Sequence, residues 1–292
     1  MKVTLADSLG TCFGVDDAIK EAMDPRFRGN LTIIGQLVHN PQTVQQLRDT
    51  GVEIVDSVEA NIQTPNVMIT AHGAAQSVHQ RAKEKGFTVY DATCPLVMKV
   101  HKAVRRLVDE GYFPVVVGQA SHVEVRGIVS DLREYVVVAD EKDFEKLADK
   151  PKLGIVSQTT NQIKTVLPIV EKIKMLTNSD GSPKDVKFVD TICKPTKDRQ
   201  IAVEKLSNEV NLMIVVGGHN SSNTKKLKKV CDDKGLPAYH IEKASEVKRE
   251  WFEGIDHVGI TAGTSTPSYV IDEVYEAVLA IGRDLDAHKA AS

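Results

Sequence analysis

Largely apolar runs of strand length, each followed by a polar loop and then a helix-period segment, recur along the chain. They read LTIIG, NVMITA, FTVYDA, PVVVG, LGIVS, VKFVD, LMIVVG and HVGITAG, and the start, MKVTLADSLG, enters a strand pattern at once. Strands apolar on both faces and alternating with helices predict parallel sheets flanked by helices. In such sheets ligand sites gather at the carboxyl ends of the strands, where loops meet helix N-termini.

The loops after these strands fall into three sets. The first set is SLGTCFGVDDAI, YDATCPLVMKV and VDTICKPTKDRQ: a strand, a cysteine, then a helix start. The second is GQLVHNPQTVQQL, GQASHVEVRGIV and GGHNSSNTKKL, where glycine closes the strand before a His- or Ser/Asn-rich turn. The third is TAHGAAQSVHQ, SQTTNQIKTV and TAGTSTPSYV, with small hydroxyl or histidine residues before the helix. The sets recur in the same order, which makes an internal repeat of roughly 80 to 100 residues, too large for a solenoid unit. Three such units pack most naturally about a pseudo-threefold axis, with Cys12, Cys94 and Cys193 turned toward it.

Composition narrows the function classes. A net charge of -3 gives no electrostatic reason to expect nucleic acid or an anionic membrane. No apolar run approaches the roughly 20 residues of a membrane span, and the start lacks a signal peptide's basic and apolar regions. The expected location is cytoplasmic. Four cysteines in 292 residues argue against a disulfide framework. Cys231, in LKKVCDDKG, falls inside a helix and reads as a core or semi-exposed thiol.

A small residue suits any helix entrance, but three cysteines at equivalent entrances point to a shared ligand set. Helix N-termini favour thiolate sulfur. Zinc in a Cys₃His site and an iron–sulfur cluster both fit; three protein ligands on four irons would leave one iron open to substrate. His39, His72 and His122 each sit in a strand-end loop, whereas the other histidines lack that placement. Ser221, Ser222 and Asn223, with Thr159, Thr160, Thr264 and Ser265, form a set of neutral donors at helix starts, suited to phosphate. The glycines form neither a dinucleotide fingerprint nor a P-loop, so no nucleotide cofactor is expected. Glu124 is the one carboxylate in a second-set loop beside a candidate histidine, and a closed pocket would raise its pKa toward that of a proton donor.

From Val3 to Gly282 the chain resembles the 4-hydroxy-3-methylbut-2-enyl diphosphate reductase family. The resemblance rests on CFGV, LVHN, AHG, DATCPLVMKVH, HVEV, SQTT, DTIC, NSSNT and TAG-S, nine motifs in order. It implies a trefoil of three similar α/β domains around a 4Fe–4S cluster ligated by Cys12, Cys94 and Cys193. The expected domains are 1–92, 93–191 and 192–283, with 284–292 as a C-terminal tail. It also implies diphosphate binding by His39, His72, His122, Ser221, Ser222, Asn223 and Ser265, and a proton relay of Glu124 with Thr159 and His122. The implied reaction removes an allylic hydroxyl and yields isopentenyl and dimethylallyl diphosphates. With no flavin or nicotinamide motif, electrons would come from a partner such as ferredoxin or flavodoxin. Thr11, Asp17 and Val123 depart from the family pattern, where an aromatic, an arginine and a proline are usual. They leave a divergent paralogue as an alternative. A non-catalytic phosphosugar-binding regulator would explain NSSNT but not the cysteines, and a structural zinc protein would explain the cysteines but not the donors.

Overall fold

The computed structural model describes residues 1–291, with side chains through 288. The chain opens with β1 (Lys2–Leu5), α1 (Phe13–Ala22), β2 (Leu31–Ile34), α2 (Pro41–Asp49) and β3 (Glu53–Val55). Next come β4 (Asn66–Ile69), α3 (Gln76–Glu84), β5 (Thr88–Asp91), α4 (Pro95–Asp109), β6 (Phe113–Val117), α5 (Val123–Val129) and β7 (Val136–Val138). There follow β8 (Lys152–Ser157), α6 (Ile163–Lys174), β9 (Asp185–Phe188), α7 (Lys194–Leu206) and β10 (Leu212–Val216). The last elements are α8 (Ser222–Asp233), β11 (Ala238–Ile241), β12 (His257–Ala262) and α9 (Ser268–Ala291).

The strands form three parallel sheets of four, ordered β3-β2-β4-β5, β7-β6-β8-β9 and β11-β10-β12-β1. The order is the same in all three, so the threefold loop pattern reflects a repeated sheet. The third sheet takes its fourth strand from the start of the chain: Lys2 to Leu5 pair in parallel with His257 to Ile260. Sheet membership therefore does not follow contiguous thirds of the chain. In every sheet the cysteine loop follows the fourth strand, the second-set loop the central strand β2, β6 or β10, and the third-set loop β4, β8 or β12.

The edge strands β3, β7 and β11, absent from the apolar-run reading, occupy one edge position in the three sheets. They are only three or four residues long and mostly half-buried, so no bounded apolar run marks them. Of the expected tail 284–292, residues 284–291 form the last turns of α9, and Ser292 lies outside the described residues. The Met1 ammonium pairs with Asp286 at 2.9 Å.

Core packing follows from the strand period of two. Along β10, Leu212, Ile214 and Val216 pack with Val270, Val274 and Val278 of α9. Met213 and Val215 point the other way, against Val203, Leu206, Leu227 and Val230. On the second repeat, Val115, Val117 and Ile155 meet Val166, Val170 and Ile173, while Val116 and Val156 meet Val100, Leu107, Val125 and Ile128. Each buried Val, Leu or Ile contributes about 1.5–3 kcal/mol of apolar burial, which rigidifies the strand ends from which the loops spring. The chain divides into two compact units. One comprises Met1–Val15, His39–Thr43 and the chain from Lys194; the other Asp16–Val38 and Val44–Cys193. Among the described residues no helix is long and apolar enough to cross a membrane.

Candidate active site

In the unit holding Cys94 and Cys193, one threonine organises the strand ends. The Thr159 carbonyl accepts the Cys193 N–H at 3.0 Å. Its own N–H donates to Glu124 Oε1 at 2.7 Å, and its hydroxyl lies 2.6 Å from Oε2. Glu124 is only 2 % exposed. It sits in the first turn of α5 rather than in the loop that precedes it, with His122 as N-cap. Burial pushes the Glu124 carboxyl above the usual range, opposed by the two Thr159 hydrogen bonds. His122 Nδ1 accepts the Glu124 N–H at 3.2 Å, so the proton of the neutral ring lies on Nε2. The His72 ring stands edge-on to His122, centroids 6.0 Å apart. Cys94 is the N-cap of α4, and its N–H donates to the Ala71 carbonyl at 3.1 Å.

The other unit repeats this wiring with different chemistry. The Thr264 carbonyl accepts the Cys12 N–H at 3.1 Å, and the Thr264 N–H donates to Asn223 Oδ1 at 2.9 Å. With Oδ1 engaged, the amide nitrogen of Asn223 is held as a donor; it lies 3.5 Å from Thr196 Oγ1. Ser221 Oγ caps α8 by accepting the Thr224 N–H at 3.2 Å, which leaves its hydroxyl proton for an acceptor. Ser222 and Asn223 form the first turn of α8, where N–H groups have no intrahelical partner and attract anions. Ser265 Oγ donates to the His39 carbonyl at 3.1 Å. Burial first, and the Lys225 ammonium second, hold the His39 imidazole below the usual histidine range.

Glycine makes this turn possible. A Cβ on Gly217 (φ 149°) would lie 2.5 Å from Thr224 Oγ1, one on Gly263 would lie 2.1 Å from the same atom, and one on Gly218 would lie 2.5 Å from the His39 carbonyl. The backbone therefore closes on Thr224 and His39 as no residue with a side chain allows.

Cys12, Cys94 and Cys193 are half-buried, stand at the mouths of helices, and each give their N–H to a third-set carbonyl. Cysteine sulfurs are soft donors, which would suit zinc or an iron–sulfur cluster better than hard oxygen-seeking cations. Among the described residues, no group of three or more His, Cys, Asp or Glu side chains has the spacing to hold a metal ion. Cys231 is fully buried in α8, its thiol pushed up to about 11 by burial, which marks it as inert. The sequence reading missed Arg199 of α7, 6 % exposed, whose guanidinium donates to the carbonyls of Gly10 and Thr11 at 3.0 and 3.1 Å. Its only sequence signal is a charge at a helix position whose counterparts in α1 and α4 are apolar.

The family profile described as LytB protein matches residues 3–279. The chain belongs to the LytB family. This LytB member is 39 % identical over 281 residues to the 4-hydroxy-3-methylbut-2-enyl diphosphate reductase of Syntrophotalea carbinolica, covering 95 % of this chain and 98 % of the relative. The Geobacter sulfurreducens protein of the same name is 39 % identical, with 95 % and 97 % covered. A solved (E)-4-hydroxy-3-methyl-but-2-enyl diphosphate reductase, the terminal enzyme of the non-mevalonate pathway, superposes with a TM-score of 0.68 at 37 % identity, over 96 % of this chain and all of that one. The Plasmodium falciparum reductase superposes with a TM-score of 0.85 at 28 % identity, over 96 % and 87 %. This LytB member is accordingly an enzyme of the reductase class, and its three four-stranded parallel sheets are those expected from the strand–helix alternation.

Proposed function

We propose that this enzyme reduces (E)-4-hydroxy-3-methylbut-2-enyl diphosphate to isopentenyl and dimethylallyl diphosphates in isoprenoid biosynthesis. Two electrons and two protons replace the allylic C–O bond with C–H and release water. The observation that carries the reading is Thr159, whose N–H and hydroxyl hold the buried acid Glu124 and whose carbonyl holds the loop of Cys193. Cys12, Cys94 and Cys193 are the proposed ligands of a 4Fe–4S cluster, supported by their shared local setting. Such a cluster, when bound, supplies electrons singly and a Lewis-acidic iron lacking a protein ligand.

The chain's own residues do the rest. The first turn of α8, with Ser221, Ser222 and Asn223, and Ser265, His39, His72 and His122 are the proposed diphosphate anchors. Binding energy spent on the diphosphate fixes the pose of the distant hydroxyl. Burial raises the Glu124 carboxyl and so favours its protonated form, against the two Thr159 hydrogen bonds. With the proton on Oε2, the 2.6 Å bond runs from the carboxyl to Thr159 Oγ1, whose own hydroxyl proton is then available to a departing oxygen. After transfer, the Thr159 N–H and O–H stabilise the carboxylate left behind. His122 Nε2–H is a second donor on the same turn. Electrons are proposed to come from ferredoxin or flavodoxin, and the cytoplasm is the proposed location.

The test is the visible spectrum, iron and acid-labile sulfide of anaerobically purified protein, followed by turnover of this substrate with a small chemical reductant. A cluster spectrum with conversion to the two five-carbon diphosphates is expected. Colourless, iron-free protein that still dehydroxylated the substrate would overturn the cluster, and a loaded but inert enzyme would overturn the substrate.

A further inference from the structure

The helix that carries Ser222 and Asn223 in its first turn bears four lysines, and they are not alike. Lys228 and Lys229 find Asp232 and Asp233 one turn on, at 2.7 and 2.8 Å. Lys226 is half-buried, whereas Lys225 is exposed. The residues three and four positions from Lys225 are Ser221, Ser222, Lys228 and Lys229, so α8 offers it no acid. Among the described residues Lys225 forms no ion pair elsewhere in the chain. Its i,i+4 relation to Lys229 sets two like charges together, which opposes the helix rather than supporting it. Helix stability therefore does not account for a lysine at this position.

Its surroundings give that charge a place to act. The Lys225 N–H donates to the Ser221 carbonyl at 3.1 Å, so Lys225 stands one turn beyond Ser221 on the same face. Helical side chains lean toward the N-terminus, which carries the ammonium back toward the turn. The His39 carbonyl packs against Gly218 of that turn and accepts Ser265 Oγ. The His219 and His240 rings meet there with centroids 4.6 Å apart. Burial is the main cause of the lowered pKa of both His39 and His240, and the nearby Lys225 ammonium adds to it in each. Glu242, two residues beyond His240, is tied to the turn by accepting the His219 N–H at 2.6 Å. All of these residues belong to one compact unit.

We infer that Lys225 is a further substrate-binding residue, the cation by which the α8 site tells a diphosphate from a monophosphate. The inference rests on reading the first turn of α8 as a diphosphate anchor. Ser221, Ser222, Asn223 and Ser265 are neutral donors, and helix N–H groups carry only partial charge. Such a cradle suits one phosphoryl group but leaves much of the charge of a diphosphate unmet. An ammonium on a flexible stem at the rim meets a second phosphoryl group without entering the cradle. As an exposed charge it also draws an anionic substrate inward, more strongly at low salt.

The experiment measures binding of inorganic pyrophosphate and of inorganic phosphate to anaerobically purified protein by calorimetry, at low and at high salt. The parent is compared with Lys225→Gln, Lys225→Arg, Lys229→Gln and Asn223→Ala, each checked for folding by Tm. Lys225→Gln should bind pyrophosphate about 5-fold more weakly, the upper end for one exposed ion pair, with phosphate binding unchanged. The salt dependence of pyrophosphate binding should shrink in the same variant. Lys225→Arg should restore both properties, and Lys229→Gln should match the parent. In turnover with a small chemical reductant, the loss in Lys225→Gln should appear as a raised KM at parental kcat. Parental pyrophosphate binding in Lys225→Gln, with Asn223→Ala weakened, would overturn the role of Lys225. Equal weakening of phosphate and pyrophosphate would overturn its part in discrimination. Parental binding of both anions in Asn223→Ala would instead overturn the anion site on which the inference rests. Should the parent bind neither anion measurably, the KM of Lys225→Gln decides, and a parental value overturns the proposal.

Discussion

Thr159 and Thr264 occupy the same place in two repeats and make the same two backbone connections, yet they serve opposite chemistry. Each accepts a cysteine N–H on its carbonyl. Each donates its N–H to a side-chain oxygen from the first turn of the neighbouring helix, Glu124 in one unit and Asn223 in the other. Glu124 can lose a proton; Asn223 cannot, and with its oxygen engaged its remaining polar group is the amide nitrogen, 3.5 Å from Thr196 Oγ1. In the remaining repeat the equivalent Ala71 N–H goes to the Leu37 carbonyl, so no side chain enters at all. One backbone scaffold thus carries a carboxyl in one repeat, an amide in another and a backbone-only connection in the third, and the distinction lies in a single side chain per repeat.

The harshest way to break the comparison is to remove what the repeats share. Cys12→Ser, Cys94→Ser and Cys193→Ser should each lose most bound iron and all turnover, while Cys231→Ser, buried elsewhere, keeps both. Iron and sulfide analysis decides this, and undiminished iron in two of the first three would discard the shared role. Next comes the acid. Glu124→Gln should keep its iron but turn over about 10² to 10⁴ more slowly, the usual loss for a missing general acid. Near-parental turnover would mean that the proton travels another way.

The counterpart change should appear in binding. Asn223→Ala should weaken substrate binding by about 1–3 kcal/mol by leaving a charged oxygen short of a donor, seen chiefly as a raised KM. Asn223→Asp, which makes this repeat resemble the other, should bind worse still through charge repulsion. An unchanged KM in both would remove Asn223 from the anion site. The two units should also titrate in opposite senses. The Glu124 carboxyl is raised by burial, so its stabilising contribution is present below the ordinary carboxylate pKa and is lost as pH rises through the folded value. His39 is lowered, so its contribution is present above the ordinary histidine pKa and is lost as pH falls through the folded value. The Tm advantage of the parent over Glu124→Gln should shrink with rising pH, and that over His39→Gln should shrink with falling pH. Parallel curves would show that neither group titrates differently on unfolding.

The smallest effect is expected on the surface of α8. Lys228 and Lys229 are paired with Asp232 and Asp233 at 2.7 and 2.8 Å, as exposed i,i+4 ion pairs. Lys229→Glu should leave Tm and turnover with a small reductant unchanged and slow only turnover driven by an acidic carrier protein, with less effect at higher salt. Equal slowing with both reductants would tie Lys229 to something other than the carrier.

Local sequence alone determined the alternation of strand and helix, the three loop sets and the special standing of Cys12, Cys94 and Cys193. Apolar runs, glycine-closed strands and helix entrances are written within a few residues of one another. It also separated Cys231 from the rest, and the structure buries that thiol in a helix. The short edge strands β3, β7 and β11 left no such mark, because strands of three or four half-buried residues are stabilised by their neighbour rather than by their own pattern. Only the tertiary structure decided that β1 completes the sheet of β10, β11 and β12, since pairing Lys2–Leu5 with His257–Ile260 joins opposite ends of the chain. It decided likewise that Thr159 grips Glu124 and that Arg199 grips the Cys12 loop across 189 positions. Hydrogen bonds to backbone carbonyls and amides carry no side-chain signature at the accepting end, so folding alone selects such partners.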